Sequence, residues 1–418
     1  MIHLLNLFLF DTVKYLGLLT LGLFSVIFIT ENGAALNADI IEKYQYYFLA
    51  LAVLVLINRI IHFIKYNKFI MLPYSLSFYN RANNENKDTK IFLDKFKKYD
   101  KRKKIIYFKN RLSIDKKAYL DLKDRIIHLL GYENKKEIEI EIEAHKTKEV
   151  AIRTYELPRF FEWNTHLLKF EYIYLGHNKN GAYFLPLKNL TSSICCGESG
   201  AGKSNFLNMI IFSLLHNSDY IEHLHFIDLK GVELSRYKLN NTSFTDNLEE
   251  VDILLENLKN EMNLRFKEMK EKGDLNYDGK YRICLIDEIG TISTHHNKKL
   301  KENIFNNLIE IGQKGRASKV ILLIFSQKID STNIPTNVLT NLQGSYLLRT
   351  SSIFNINNSI GLQEEIEEIT RTRVQDFPKG RMIYKDGLTS EKILLQTPFL
   401  SQDIQSSMIK YFRSWINK

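Results

Sequence analysis

Cysteine is scarce in this 418-residue chain, with Cys195, Cys196 and Cys284 its only examples. Each sits inside an apolar run, and adjacent cysteines such as Cys195 and Cys196 rarely bridge each other. No spacing suits a structural zinc. The three read as buried, reduced thiols, which excludes a disulfide scaffold and suits a cytosolic domain. The first ten residues contain neither Lys nor Arg. A cleaved signal peptide begins with a basic stretch, so that reading is disfavoured. The composition, 44% hydrophobic and 25% charged, is not that of a disordered chain. Two or three units are expected at this length, one of them large enough to bury a proper core.

Charge is present but uneven. The formal net charge is +10, and the stretch from Arg81 to Lys117 alone holds 14 Lys/Arg against 5 Asp/Glu, a net of +9. Position decides what such a run does. Upstream, Val13–Thr30 has no charge after Lys14 and is long enough to cross a hydrocarbon core of about 30 Å. Tyr46–Ile64 is a second span of the same kind, with Arg59 and His62 near its end, where long side chains snorkel. The positive residues lie at or beyond the end of the second span, so that flank is cytoplasmic, and two spans bring the N-terminus to the same side. The +9 run then lies near anionic headgroups, a reading preferred here to a DNA contact.

The middle of the chain reads as a small α+β unit. Lys116–Gly131 suggests a short amphipathic helix closed by a glycine. Lys136–Ala144 alternates Ile and Glu, the period of a half-exposed strand. Nothing in this region suggests chemistry.

The strongest motif is Gly197-Glu198-Ser199-Gly200-Ala201-Gly202-Lys203-Ser204, which fits G-x-x-x-x-G-K-[ST] at every fixed position. A short apolar strand precedes it, and a helix with an apolar face follows, through Phe206, Met209, Ile210 and Leu214. Glycines let successive backbone N–H groups curl round phosphates at a helix N-terminus. Lys203 places an ammonium on the outer phosphates, and the Ser204 hydroxyl can ligand Mg²⁺. A second apolar strand, Tyr281–Glu288, ends in two acids. Asp287 suits the metal and Glu288 the polarisation of an attacking water. Ile221–Asp228 reads as another strand, followed by a long helix over about 246–272 that Gly273 stops. Lys319–Ser326 is a further strand, ending at Gln327, either a γ-phosphate sensor or a surface amide. Arg316, flanked by glycines in Gly312–Ala317, is either a trans-acting arginine or a solvated charge. Strands alternating with helices imply a parallel sheet with ligands at the carboxyl ends of its strands.

Together these stretches resemble the motor of the FtsK/SpoIIIE family. The P-loop and the acid-ending strand are generic. More specific are Asp228–Tyr237 (DLKGVELSRY), Gly312–Lys328 (GQKGRASKVILLIFSQK), Leu347–Ser352 (LLRTSS) and Lys379–Gly387 (KGRMIYKDG). The resemblance covers about 155–415. It implies a RecA-like core assembled as a hexameric ring on double-stranded DNA, with ATP and Mg²⁺ as cofactors. It also implies Lys203, Ser204, Asp287, Glu288 and Gln327 in their usual roles, with Arg316, in preference to Arg349, acting in trans. Family members that segregate chromosomes usually carry four spans, a long linker and a winged-helix module. Two spans and a short tail look more like the TcpA-like coupling proteins of Gram-positive conjugative elements.

The expected organisation is therefore an α/β protein in three parts. Residues 1–66 form a two-helix membrane hairpin (spans 13–30 and 46–64), 67–154 a basic juxtamembrane segment and small α+β linker domain, and 155–418 the motor. The expected function is ATP-driven movement of DNA, largely independent of sequence, from the cell membrane to a conjugative channel, with relaxase and channel proteins as partners. The alternatives are a chromosome or plasmid segregation pump, a protein-secretion motor, and a nucleotide-regulated scaffold.

Overall fold

The computed structural model describes residues 38–76, 79–82, 90–93, 95–102, 104–109, 119, 121–130, 138–144, 149–370 and 372–416. The first expected span, 13–30, lies outside them. Helix α1, Ala38–Ser75, is the one described helix long and apolar enough to cross a membrane, over Ala50–Pro73. Leu51, Leu54, Ile57, Ile61 and Ile64 on it are exposed. Its helical dihedrals break at Tyr66, and Pro73 lies in its last turn.

The described residues divide into two compact units, with the main break between Thr154 and Tyr155. The first contains strands β1 (Tyr79–Ala82), β2 (Lys90–Leu93), β3 (Lys95–Asp100), β4 (Ile105–Lys109), β5 (Ile138–Ala144) and β6 (Glu149–Glu156), with helix α2 at Lys123–Leu129. The last four strands form a sheet in the order β3-β4-β6-β5. The Ile/Glu alternation of β5 has its expected consequence, since Ile140 and Ile142 are buried with Phe108, Ile126 and Ile152.

The second unit is built on a single ten-stranded sheet in the order β11-β10-β12-β13-β9-β14-β15-β16-β7-β8. Its strands are β7 (Tyr172–Asn178), β8 (Gly181–Pro186), β9 (Ser193–Cys196), β10 (Ile221–Asp228), β11 (Thr242–Thr245), β12 (Tyr281–Asp287), β13 (Val320–Ser326), β14 (Gly344–Leu348), β15 (Arg381–Lys385) and β16 (Lys392–Gln396). From β11 to β14 every pairing is parallel. From β14 to β8 every pairing is antiparallel. The parallel strands read as unbroken apolar runs because both faces are covered. On β12, Ile283 and Leu285 enter one core with helix α3 (Lys203–His216), while Cys284 and Ile286 enter the other with α4 (Leu248–Lys272) and α5 (Lys298–Lys314). The last helix, α6 (Gln402–Ile416), joins the first core through Met408, Ile409 and Phe412. The α/β core with a mostly parallel sheet is thus present as expected. All three cysteines are free and buried, and burial pushes the Cys196 thiol up to about 12.

Candidate nucleotide site

Strand β9 is central, flanked by β13 and β14, and the P-loop leaves its carboxyl end. Parallel strands align their carboxyl ends, so Cys196, Asp228, Asp287 and Ser326 close one edge of the sheet. Strand register sets Asp228 directly opposite Asp287.

The loop conformation requires glycine where the chemistry needs backbone. Gly202 has φ +109°, and a Cβ there would meet Gly380 N at 3.0 Å. Gly380 belongs to the 379–387 segment and donates its N–H to Ala201 O at 2.9 Å. The loop is held from its other side by Glu198, whose carboxylate accepts from Ser351 N (2.6 Å), Ser351 Oγ (2.7 Å) and Thr350 Oγ1 (3.1 Å). These bonds, the Ser351 hydroxyl's foremost, keep Glu198 below the usual carboxylate range. Helix α3 then begins at Lys203 with Gly202 as N-cap and no side-chain cap. Its first N–H groups are suited to an anion.

The Lys203 ammonium is nearly buried, 2.7 Å from Asp287 Oδ1 and 3.8 Å from Glu288 Oε2. Burial works against its charge, but Asp287 and Glu288 outweigh burial and hold its pKa above the ordinary value. Asp287 is also raised, first by burial and then by the carboxylates of Asp228 and Glu288, with Lys203 opposing. The neighbouring carboxylates thus act on both groups in the same sense, while burial opposes the shift of Lys203 and leads that of Asp287. Magnesium suits such a site. Among the described residues no three His, Cys, Asp or Glu side chains converge as a protein-only metal site. The Ser204 hydroxyl and the Asp287 carboxylate both line the cleft, and oxygen donors of this kind fit Mg²⁺ shared with phosphates and water.

Glu288 stands at φ +59°, uncommon for a residue with a side chain. Its N–H donates to Phe325 O (2.9 Å), and its carbonyl accepts from Thr291 N and Oγ1. The carboxylate meets Lys230 Nζ at 3.1 Å and the Gln327 N–H at 3.4 Å. Lys230 and Gln327, the two groups that Glu288 meets, line a cleft of about 740 Å³ that runs from the P-loop past Asp228 to Phe399.

The structure therefore brings together the loop 197–204, Asp287, Glu288 and Gln327. Arg316 it leaves apart. That residue is exposed and precedes β13, at the opposite edge of the sheet. Arg349, the other candidate, has its guanidinium 3.8 Å from where a Cβ on Gly200 would sit, beside the P-loop of its own chain. Two residues escaped the sequence reading. Asp228 is fully buried and accepts four backbone N–H groups, from Lys230, Gly231, Glu233 and Leu234, which fixes the loop that delivers Lys230 to Glu288. The signal was the acid ending an apolar strand at the head of DLKGVELSRY.

Residues 172–292, from β7 to just past the acidic pair, match the FtsK/SpoIIIE family. The chain contains an FtsK/SpoIIIE domain. DNA translocase SftA of Bacillus subtilis is 24% identical over 256 residues, 55% of this chain and 25% of that protein. DNA translocase FtsK of Corynebacterium efficiens is 27% identical over 208 residues, 43% and 22% respectively. The chain thus spans about a quarter of the length of these relatives. Among solved structures, the conjugation coupling protein TcpA of pCW3, in its monomer form with ATPγS, superposes with a TM-score of 0.54 at 19% identity. The match covers 82% of this chain and 98% of that one. ATPases 2 and 3 of EssC from Geobacillus thermodenitrificans superpose at 0.51 with 15% identity, covering 62% and 52%. Around the FtsK/SpoIIIE domain the fold is therefore that of a P-loop ATPase.

Proposed function

We propose that this chain is a membrane-anchored ATPase that moves DNA. The observation that carries the proposal is the convergence of Lys203, Asp287, Glu288 and Gln327 on the P-loop. The P-loop N–H groups and Lys203 hold the β- and γ-phosphates. Ser204 and Asp287 would hold Mg²⁺, which neutralises charge on those phosphates. Glu288, its backbone pinned by Phe325 and Thr291, orients a water against the γ-phosphorus and takes its proton as the bond to the β-phosphate oxygen breaks. Gln327 reports the state of the γ-phosphate. Arg316 is suited to completing a neighbouring subunit's site, because it lies at the far edge of the sheet.

DNA as substrate is supported by the translocases SftA and FtsK, which share this domain. The conjugative role is supported by TcpA, whose resemblance reaches beyond the motor to four-fifths of the chain. The reading includes two membrane spans with both termini cytoplasmic, a linker over 67–154, a motor over 155–418, a hexameric ring, and relaxase and channel proteins as partners. The +9 stretch lies beside the membrane in this arrangement. Contacts to DNA are mainly to phosphates and therefore weaken with salt.

The test is ATP hydrolysis by the full chain in lipid nanodiscs, with duplex DNA, single-stranded DNA or neither. DNA is expected to stimulate turnover several-fold. Lys203→Ala and Glu288→Gln are each expected to lower kcat by at least about a hundredfold. Turnover indifferent to both DNAs at low salt would exclude DNA as the cargo and favour a protein substrate.

A further inference from the structure

The nucleotide cleft has one stretch of wall whose chemistry differs from the rest. Phe399 and Leu400 line it together with the P-loop. Phe399 is 40% exposed, and Phe160, 64% exposed, lies against it with ring centroids 5.6 Å apart. Phe399 is the one aromatic ring among the residues that line the cleft, and Phe160 backs it from outside the lining.

Their backbone is firmly held. The Phe399 N–H donates to Phe161 O at 2.8 Å, and its carbonyl accepts from Trp163 N–H at 3.0 Å. On either side of Phe399, Asn205 grips the chain: its Nδ2 donates to Pro398 O at 2.6 Å and its Oδ1 accepts from Leu400 N at 2.8 Å. Asn205 lies two residues after Lys203, in the first turn of α3. The aromatic surface is thus tied to the same helical turn that presents the phosphate-binding groups.

A nucleoside triphosphate has two unlike ends, an anionic tail and a flat π-system. The P-loop takes the tail. We propose that the Phe399 ring, with Phe160 against it, is the platform on which the base of the bound nucleotide stacks. This rests on the nucleotide reading above and extends it to the other end of the ligand. Stacking reads a π-face and not a base edge, so the platform raises affinity for purine triphosphates generally and does not choose among them.

Calorimetric binding of ATP, GTP and inorganic tripolyphosphate to the full chain with Mg²⁺ tests this. Phe399→Ala is expected to weaken ATP and GTP about tenfold and leave tripolyphosphate unchanged. Phe399→Trp is expected to retain both nucleotides. Unchanged ATP affinity in Phe399→Ala would overturn the proposal and hand the surface to another occupant, such as a second copy of the chain. Equal weakening of ATP and tripolyphosphate would also overturn it, making Phe399 a brace for α3. Failure of the unaltered chain to bind either ligand would sink the nucleotide reading itself, a result distinct from both.

Discussion

At the scale of single residues, this chain places several charged or ionisable groups where only their neighbours make them tolerable. Lys203 is balanced by two carboxylates and Asp228 by four backbone donors. His225 has weaker support. It is buried on β10, its Nδ1 2.8 Å from Ser243 Oγ and its Nε2 without a hydrogen-bond partner among the described residues. Burial, then the nearby His223 and Arg282, push its pKa down from 6.5 to about 3, with Glu222 opposing. In the unfolded chain the same imidazole takes its proton near 6.5. Below that pH the unfolded state binds the extra proton, so stability falls as pH drops toward 3. One proton contributes at most about 1.4 kcal/mol per pH unit. His225→Gln is expected to flatten the stability profile between pH 6 and 4 by up to that slope, as read by urea unfolding. An unchanged slope would mean that His225 is protonated in the native state.

At the scale of elements, much was legible and the exceptions are instructive. The parallel strands announced themselves as apolar runs, and the end of the long helix by Gly273, whose φ of +74° closes it. The P-loop and the acidic pair were legible because their chemistry fixes residue types at short spacing. Phe399 was not legible: it is brought to the cleft by Asn205, nearly two hundred residues away in sequence, and no local pattern encodes that. Lys230 sat inside a segment already noticed, but its reach to Glu288 depends on the turn that Asp228 imposes. Gly315 shows why the turn carrying Arg316 is glycine-flanked. A Cβ there would lie 2.0 Å from Val320 O and 2.6 Å from Ile311 O, both backbone atoms. Neither can yield without breaking the end of α5 or the start of β13. Gly315→Ala is therefore expected to cost about 3 kcal/mol or more, measured as a drop in the unfolding midpoint. A shift below about 0.5 kcal/mol would show that the turn has slack. The first expected membrane span falls outside the described residues, and α1 is the one described helix long and apolar enough to cross a membrane.

At the scale of the whole ATPase unit, the P-loop lies at one edge of the sheet and the exposed Arg316 at the other. Head-to-tail contact between copies would bring the two together, and such heterologous contacts close into rings when the rotation permits. This predicts that subunits do not work independently. Doping Glu288→Gln chains into the unaltered protein should depress DNA-stimulated hydrolysis faster than in proportion to the fraction added. A strictly linear decline would mean that each chain hydrolyses alone.

The strand order has a further consequence, for how the protein comes into being. Strand β9, which carries the P-loop, pairs with β13 and β14, neither of which begins before Val320. Strand β7 reaches its partner β16 only through Gln396. A ribosome making this chain exposes the P-loop strand long before either of its partner strands exists. Loop closure over such separations is slow, and unpaired apolar strands invite aggregation. The nascent chain should therefore depend heavily on chaperones during synthesis, and its yield should fall steeply when they are limiting.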